Sequence, residues 1–365
     1  MSPRHHPREG GDPVSSRSRL GPRLRGGGKL VLLAAMAAFG LATTIAAKPA
    51  PAVNDAAVTA DALPPKLSAY GFFADLPART PAARVRPYTL NTALFSDYAD
   101  KQRYLYLPAG VRATYEATKV FDLPVGAALI KTFGYGVGTA FRPLETRLLL
   151  RRSTGWVALP YVWDADGRDA TLKRAGLRLP VTFIDPAGRS RTISYAVPNQ
   201  NQCKDCHALS GQVTPIGPTA RNLNDGRQLQ RLLSAGVLDR LPADAPRLAR
   251  WDDAGAPLTA RAAAYLEVNC AHCHNAAGGA SNSGLYLDWR QPDATARGVG
   301  KPPVAAGRGS GGRLYAIDPG KPGNSILLHR MASTEPGVAM PELGRALAHD
   351  EALAMLEAWI AAGAK

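Results

Sequence analysis

The 365-residue sequence predicts a multidomain α+β protein: an N-terminal all-β domain (a sandwich or partial barrel) followed by α-helical segments. Two observations carry this. Short strand-like apolar runs, separated by the turn signals Asp164-Ala-Asp-Gly167 and Asp185-Pro-Ala-Gly188, fill residues 67–198. Beyond Pro198 the apolar spacing lengthens to three and four residues, and two Cys-x-x-Cys-His sequences interrupt it. With 45% apolar residues the chain can bury a sizeable core.

Residues 1–47 read as an export leader. Leu30 through Ala47 carry no charge, Arg17, Arg19, Arg23, Arg25 and Lys29 precede them, and Thr44, Ala46 and Ala47 mark a cleavage site. An uncleaved anchor competes, because the run is at the lower edge of membrane-spanning length. Residues 1–28 lack apolar periodicity and look like translated intergenic repeat, which places the natural start downstream of Met1. The leader directs the protein to the periplasm.

Residues 48–66, with Pro49, Pro51, Pro64 and Pro65, read as a linker. In the β-rich stretch 67–198, strands are expected at 103–107, 128–133, 156–163, 181–184 and 192–197. Residues 199–255 form a first cysteine-bearing segment, with a short amphipathic helix over 224–235 and a Pro-punctuated loop over 236–257. In the last segment, 256–365, Thr259 is expected to cap a helix running into Cys270, and a closing helix spans about 350–362 with Gly363 just past it.

The net charge is +15, but seven Lys/Arg and two Asp/Glu fall in residues 1–47, which leaves +10 for the rest. A basic exported protein suits an acidic partner or proximity to a membrane surface. Nucleic acid is excluded as a partner, because the Arg residues are dispersed and the chain leaves the cytoplasm. The pair Arg151-Arg152 reads as a solvated strand edge.

The four cysteines fall in Cys203-Lys-Asp-Cys206-His207 and Cys270-Ala-His-Cys273-His274, and none is left over. Sulfurs three residues apart on one helical turn share a side and match the two vinyl groups on one haem edge. The following imidazole is then placed to bind iron, so each motif reads as covalent haem c attachment. A zinc ribbon would space its knuckles by about 15–20 residues, whereas 63 residues separate Cys206 from Cys270. A thioredoxin-like pair requires neither the histidine nor the duplication.

Sixth ligands are scarce. After the leader only Met331, Met340 and Met355 are thioethers, and His272, His329 and His349 are spare imidazoles. Met355 reads as core, and His272, between two cysteines, as exposed. For the first haem Met331, His329, His349, another type of donor or an open position all stay in play, and its distal wall must come from elsewhere in the chain. The run Ala306-Gly-Arg-Gly-Ser-Gly-Gly312 lacks a phosphate-loop ending, and reads as a loop over a haem edge with Arg308 or Arg313 on a propionate.

The stretches Tyr70–Phe73, Leu90–Asp97, Pro198–Cys203, Lys301–Gly312 and Pro341–Gly344 resemble a bacterial family of exported dihaem c-type cytochromes with an N-terminal β-rich region. The part around the second motif resembles class I cytochrome c. These resemblances imply α-helical cytochrome c-like haem domains, electron transfer, and a β-rich region that belongs with the haems. They further imply Met340 as distal ligand of the second haem and the Pro218 carbonyl as acceptor for His207 Nδ1–H.

Three functions are therefore expected of the sequence. The first is an electron carrier holding two haems at Cys203, Cys206, Cys270 and Cys273, with His207, His274 and Met340 on iron. The second is a peroxidase-like or substrate-oxidising enzyme with the first haem as reactive centre. The third is a partner- or carbohydrate-binding module with haem acceptors.

Overall fold

In the computed structural model residues 52–304 and 306–365 are described, and the leader falls outside them. Pro49–Lys365 cluster as one compact unit. After a short helix α1 (Asp55–Thr59), the hairpin β1 (Phe73–Asp75) and β2 (Thr80–Pro81) leads into a six-stranded sheet. Its strands are β3 (Val85–Pro87), β4 (Asp100–Tyr106), β5 (Ala128–Tyr135), β6 (Arg142–Arg152), β7 (Gly155–Trp163) and β8 (Ala170–Leu172). They pair in chain order, each antiparallel to the one before.

The central strand β5 is buried on both faces, as its unbroken run Ala128-Leu-Ile130 requires. One face packs Tyr104, Tyr106, Ile130, Leu148, Leu159 and Tyr161 under α1, Tyr70 and Phe72. The other presents Leu105, Leu129 and Leu149 to α3 (Ala220–Leu223) and α4 (Gln228–Ser234). A separate hairpin, β9 (Leu177–Ile184) with β10 (Ser190–Val197), packs Phe183 and Tyr195 against Val162. Each of the strands expected at 103–107, 128–133, 156–163, 181–184 and 192–197 overlaps an observed one (β4, β5, β7, β9 and β10), with ends that differ by up to four residues.

The expected fold class is overturned. The described chain is mainly antiparallel β-sheet, and its later part does not build α-helical cytochrome c-like domains. After β10 the described residues form six α-helices, α2 (Gln202–His207), α3, α4, α5 (Leu258–Asn269), α6 (Ile326–Ala332) and α7 (Asp350–Ala361), three short 3-10 turns, and a two-stranded β11 (Ala208–Leu209) and β12 (Gln212–Val213) after α2. The helical apolar spacing is real in α4, α5 and α7 but does not extend beyond them. Glycine and proline recur from Gly278 to Gly344, and each discourages helix propagation.

Thr259 lies inside α5, whose N-cap is Pro257. Arg152 is buried on an interior strand, not a solvated edge. Gly363 does take the left-handed conformation (φ 94°) just past α7, and its N–H reaches the Ile360 carbonyl at 2.9 Å. Among the described residues no helix is long and apolar enough to cross a membrane.

Candidate functional site

The two cysteine–histidine motifs arrive from different directions and meet. The first lies on α2, whose terminal His207 is followed by the β11–β12 turn; the second begins where α5 ends, at Cys270. Ser210 N donates to Ala277 O at 3.1 Å, and Cys273 Sγ lies 3.5 Å from Asp205 O. A Cβ added to Gly278 would collide with the Cys273 carbonyl, so only glycine permits the chain to turn back there.

Each motif borders its own cavity. The first, about 480 Å³, is walled by Cys203, Cys206 and His207 on one side and by Leu129, Lys131 and Arg147 of the sheet on another. The second, about 640 Å³, is lined by Cys270, Cys273, His274, Leu285 and Ile326. Both volumes fall in the range of about 300–1,000 Å³ usual for cofactor pockets. Cys206, Tyr265, Asn269, His272, Met331 and Met340 border both.

The imidazoles are fixed in complementary ways. His207 Nδ1 lies 3.0 Å from the Thr214 carbonyl, and His274 Nδ1 lies 3.0 Å from Ser283 Oγ. The expected acceptor, the Pro218 carbonyl, is instead 3.5 Å from Phe121 N. The β11–β12 turn explains the difference, because it folds Thr214 directly back onto His207. With Nδ1 engaged, Nε2 is the nitrogen free for a metal, the usual arrangement of a ligating histidine. Burial, reinforced by Lys131, pushes His207 down to about 4, and burial with His272 and Arg330 does the same for His274. Both rings are neutral near pH 7, as ligation requires.

The four cysteines are partly buried, and no disulfide joins any two of them. Burial raises Cys203 and pushes Cys270 up to about 12. Cys206 is the easiest of the four to ionise, since the nearby Cys273 thiol and His272 ring favour its thiolate. His272, expected to be exposed, is half-buried and lies with Cys206 and Cys273 in a group whose ligand atoms are all within 4.8 Å of one another.

Compared with protein-family models, curated proteins and solved structures, the chain matches none. The site therefore stands on its own geometry.

Two haems would require donors for their carboxylates as well as thiols and imidazoles. Besides the thiols and free Nε2 positions, buried side-chain nitrogens without a partner among the described residues border both cavities. They are Arg221 Nε and Arg345 Nε at the first, Arg297 Nε at the second and His272 Nδ1 at both. Such orphaned donors suit an anionic group in the cavity. The residues present fit the cofactor.

Several candidates are spoken for. His349 Nδ1 bonds Tyr265 OH at 3.1 Å, and its ring stacks on Phe95 at 4.1 Å, so this histidine is a packing residue. His329 borders neither cavity. Arg308 binds Glu335 and the Pro336 carbonyl, and Arg313 donates to Gly323 O at 3.0 Å; neither borders a cavity, contrary to the propionate expectation. Arg297, Lys301 and Arg330, which no local pattern marks as cavity residues, border the second instead.

The stretch Leu90–Asp97 stitches the sheet to the motif-bearing segments. Asn91 Nδ2 donates to the Asn224 and Leu248 carbonyls at 2.9 and 3.0 Å, and Phe95 N donates to Asn269 Oδ1 at 2.8 Å. Asp97, in the left-handed region at φ 50°, accepts from Ala346 N and Leu347 N at 2.7 and 2.8 Å. Arg345 in turn donates to the Met340 carbonyl at 2.8 Å, so the Met340 segment is held from both sides.

Proposed function

We propose that the chain is an exported dihaem c-type cytochrome, related to the bacterial family it resembles, which passes electrons between its haems and a periplasmic redox partner. The observation that carries this reading is the pairing, twice over, of one Cys-x-x-Cys-His motif with one cavity of cofactor size. Cys203 and Cys206 would hold the first haem with His207 on its iron; Cys270 and Cys273 would hold the second with His274. Met340, bordering both cavities, is the distal ligand assigned to the second. Bound there, haem supplies a one-electron couple whose potential is set by its axial ligands and burial.

The chain's own part is positional. Thr214 and Ser283 hold the imidazole tautomers, and Asp97 and Arg345 hold the Met340 segment. The net charge of +10 beyond residue 47 favours an acidic partner.

A second reading rests on one observation: Cys206, His272 and Cys273 are close enough to bind a thiophilic metal ion together. It leaves Cys203, Cys270, His207, His274 and both cavities without a role.

A potentiometric titration followed by optical and EPR spectra separates the two. The dihaem reading expects two one-electron haem transitions in chain matured where covalent haem attachment is available. Replacement of Met340 by alanine abolishes the weak methionine-to-iron band at the red end of the ferric spectrum. A colourless protein that titrates with a thiophilic metal supports the second reading.

A further inference from the structure

The sheet face that walls the first cavity carries three cations in register. Arg103 on β4 is paired with Lys131 on β5, and Lys131 with Arg147 on β6. All three are half-buried and border the cavity. Like charges directly opposite across strands repel, so such a row is unfavourable unless something negative faces it.

The chain supplies little that is negative. Glu145 is fully buried beside the row but already accepts from Arg147 at 2.5 and 3.0 Å and from Tyr195 OH at 2.6 Å. Among the described residues the Arg103 side chain reaches only the Lys101 carbonyl, at 3.1 Å, and the Lys101 ammonium turns away to Ala99 O at 2.7 Å. Lys131 has no hydrogen-bond or ion-pair partner among the described residues, and its ammonium stands over the Phe133 ring at 5.0 Å. Burial, then Arg147 and Arg103, pushes Lys131 down to about 7, the signature of a cation short of anions.

We propose that Arg103, Lys131 and Arg147 form a carboxylate-binding site in the first cavity, occupied by the propionates of the haem attached at Cys203 and Cys206. This assignment rests on the dihaem reading. It gives the sheet a direct part in holding the cofactor: the row neutralises the propionates, and the propionates relieve the row.

The test uses full-length, haem-loaded protein and the single variants Lys131→Met and Arg103→Gln; Arg147 is left intact because it also neutralises Glu145. With both haems retained by mass, each variant is expected to lower the potential of one haem and leave the other unmoved. The expected size is about tenfold in the redox equilibrium, or about 59 mV for a one-electron couple. Lys131→Arg is expected to restore the value, which a merely structural role would not do. Two haems with unmoved potentials in both variants overturn the proposal but not the dihaem reading.

Acetate is the probe for the other source of carboxylate. It is expected to raise the melting temperature of the full chain lacking Cys203 and Cys206, to have no effect when Lys131 is also replaced, and to have none on the loaded protein. An equal effect on loaded and unloaded chains overturns the propionate assignment. If no haem attaches at all, the dihaem reading fails by itself, and the acetate comparison still reads the row.

Discussion

The sulfurs of Cys206 and Cys273, 67 positions apart in sequence, lie within 4.8 Å of one another. The thioether edges of two attached haems would therefore lie close together, at the wall the two cavities share. In chain without haem the same proximity has a measurable consequence. Cys206 ionises most readily, so a peroxide oxidises its thiolate to a sulfenic acid first, which condenses with the thiol it can reach and releases water. Mild oxidation of haem-free protein is expected to yield a Cys206–Cys273 bridge, read by peptide mass mapping. A bridge confined to one motif, Cys203–Cys206 or Cys270–Cys273, would count against the packing of the motifs.

Asp97 to alanine should loosen the segment that carries Met340. The carboxylate satisfies two backbone N–H groups, and each buried donor left unpaired costs ~1–3 kcal/mol. Denaturant unfolding measures that loss. The loaded variant should keep both haems but lose intensity in the methionine-to-iron band. An unchanged unfolding midpoint would remove Asp97 from the account.

The buried Arg221–Glu267 ion pair closes the wall of the first cavity. Glu267 also accepts from Trp289 N at 2.8 Å. Replacing Glu267 by glutamine strands a buried guanidinium and should cost ~3–5 kcal/mol, whereas changing both partners to methionine should cost less. Equal losses in the two variants would show that the charge pairing is not what matters.

Asp185 gives a pH prediction. Burial would raise its pKa, but hydrogen bonds from Arg189 N, Arg191 and Arg189 outweigh it and hold the carboxyl at about 2, against an ordinary 3.8. A depressed folded pKa contributes stability that is complete above the unfolded value and is lost as pH falls through the folded one. The β9–β10 hairpin, and its tie to Asp350 through Arg189 and Arg191, should therefore weaken between about pH 4 and about pH 2. Asp185 to asparagine should flatten that part of the stability profile. The same acid dependence in both proteins would refute the assignment.

Much of the β architecture was legible because strand alternation and turn residues are local signals. Ile130, Leu148 and Leu159 announce a buried sheet face, and Asp185-Pro-Ala-Gly188 announces the β9–β10 turn. The motif residues were equally plain, since cysteine and histidine at that spacing have few other uses. The fold after Pro198 was misjudged because helical spacing in α4, α5 and α7 says nothing about the glycine-rich chain between them. The Arg103–Lys131–Arg147 row was invisible for a different reason. Its members are 28 and 16 positions apart and come together only through strand register. Thr214 was missed likewise, because a two-stranded turn places it on His207.

The most direct measurement is the intact mass of the chain after maturation where thiols can be joined to haem. The account predicts a product heavier than its polypeptide by two haems, falling to one when Cys203 and Cys206 are replaced and to the other alone when Cys270 and Cys273 are. A mass equal to that of the bare polypeptide, under conditions that load a control cytochrome, would contradict it.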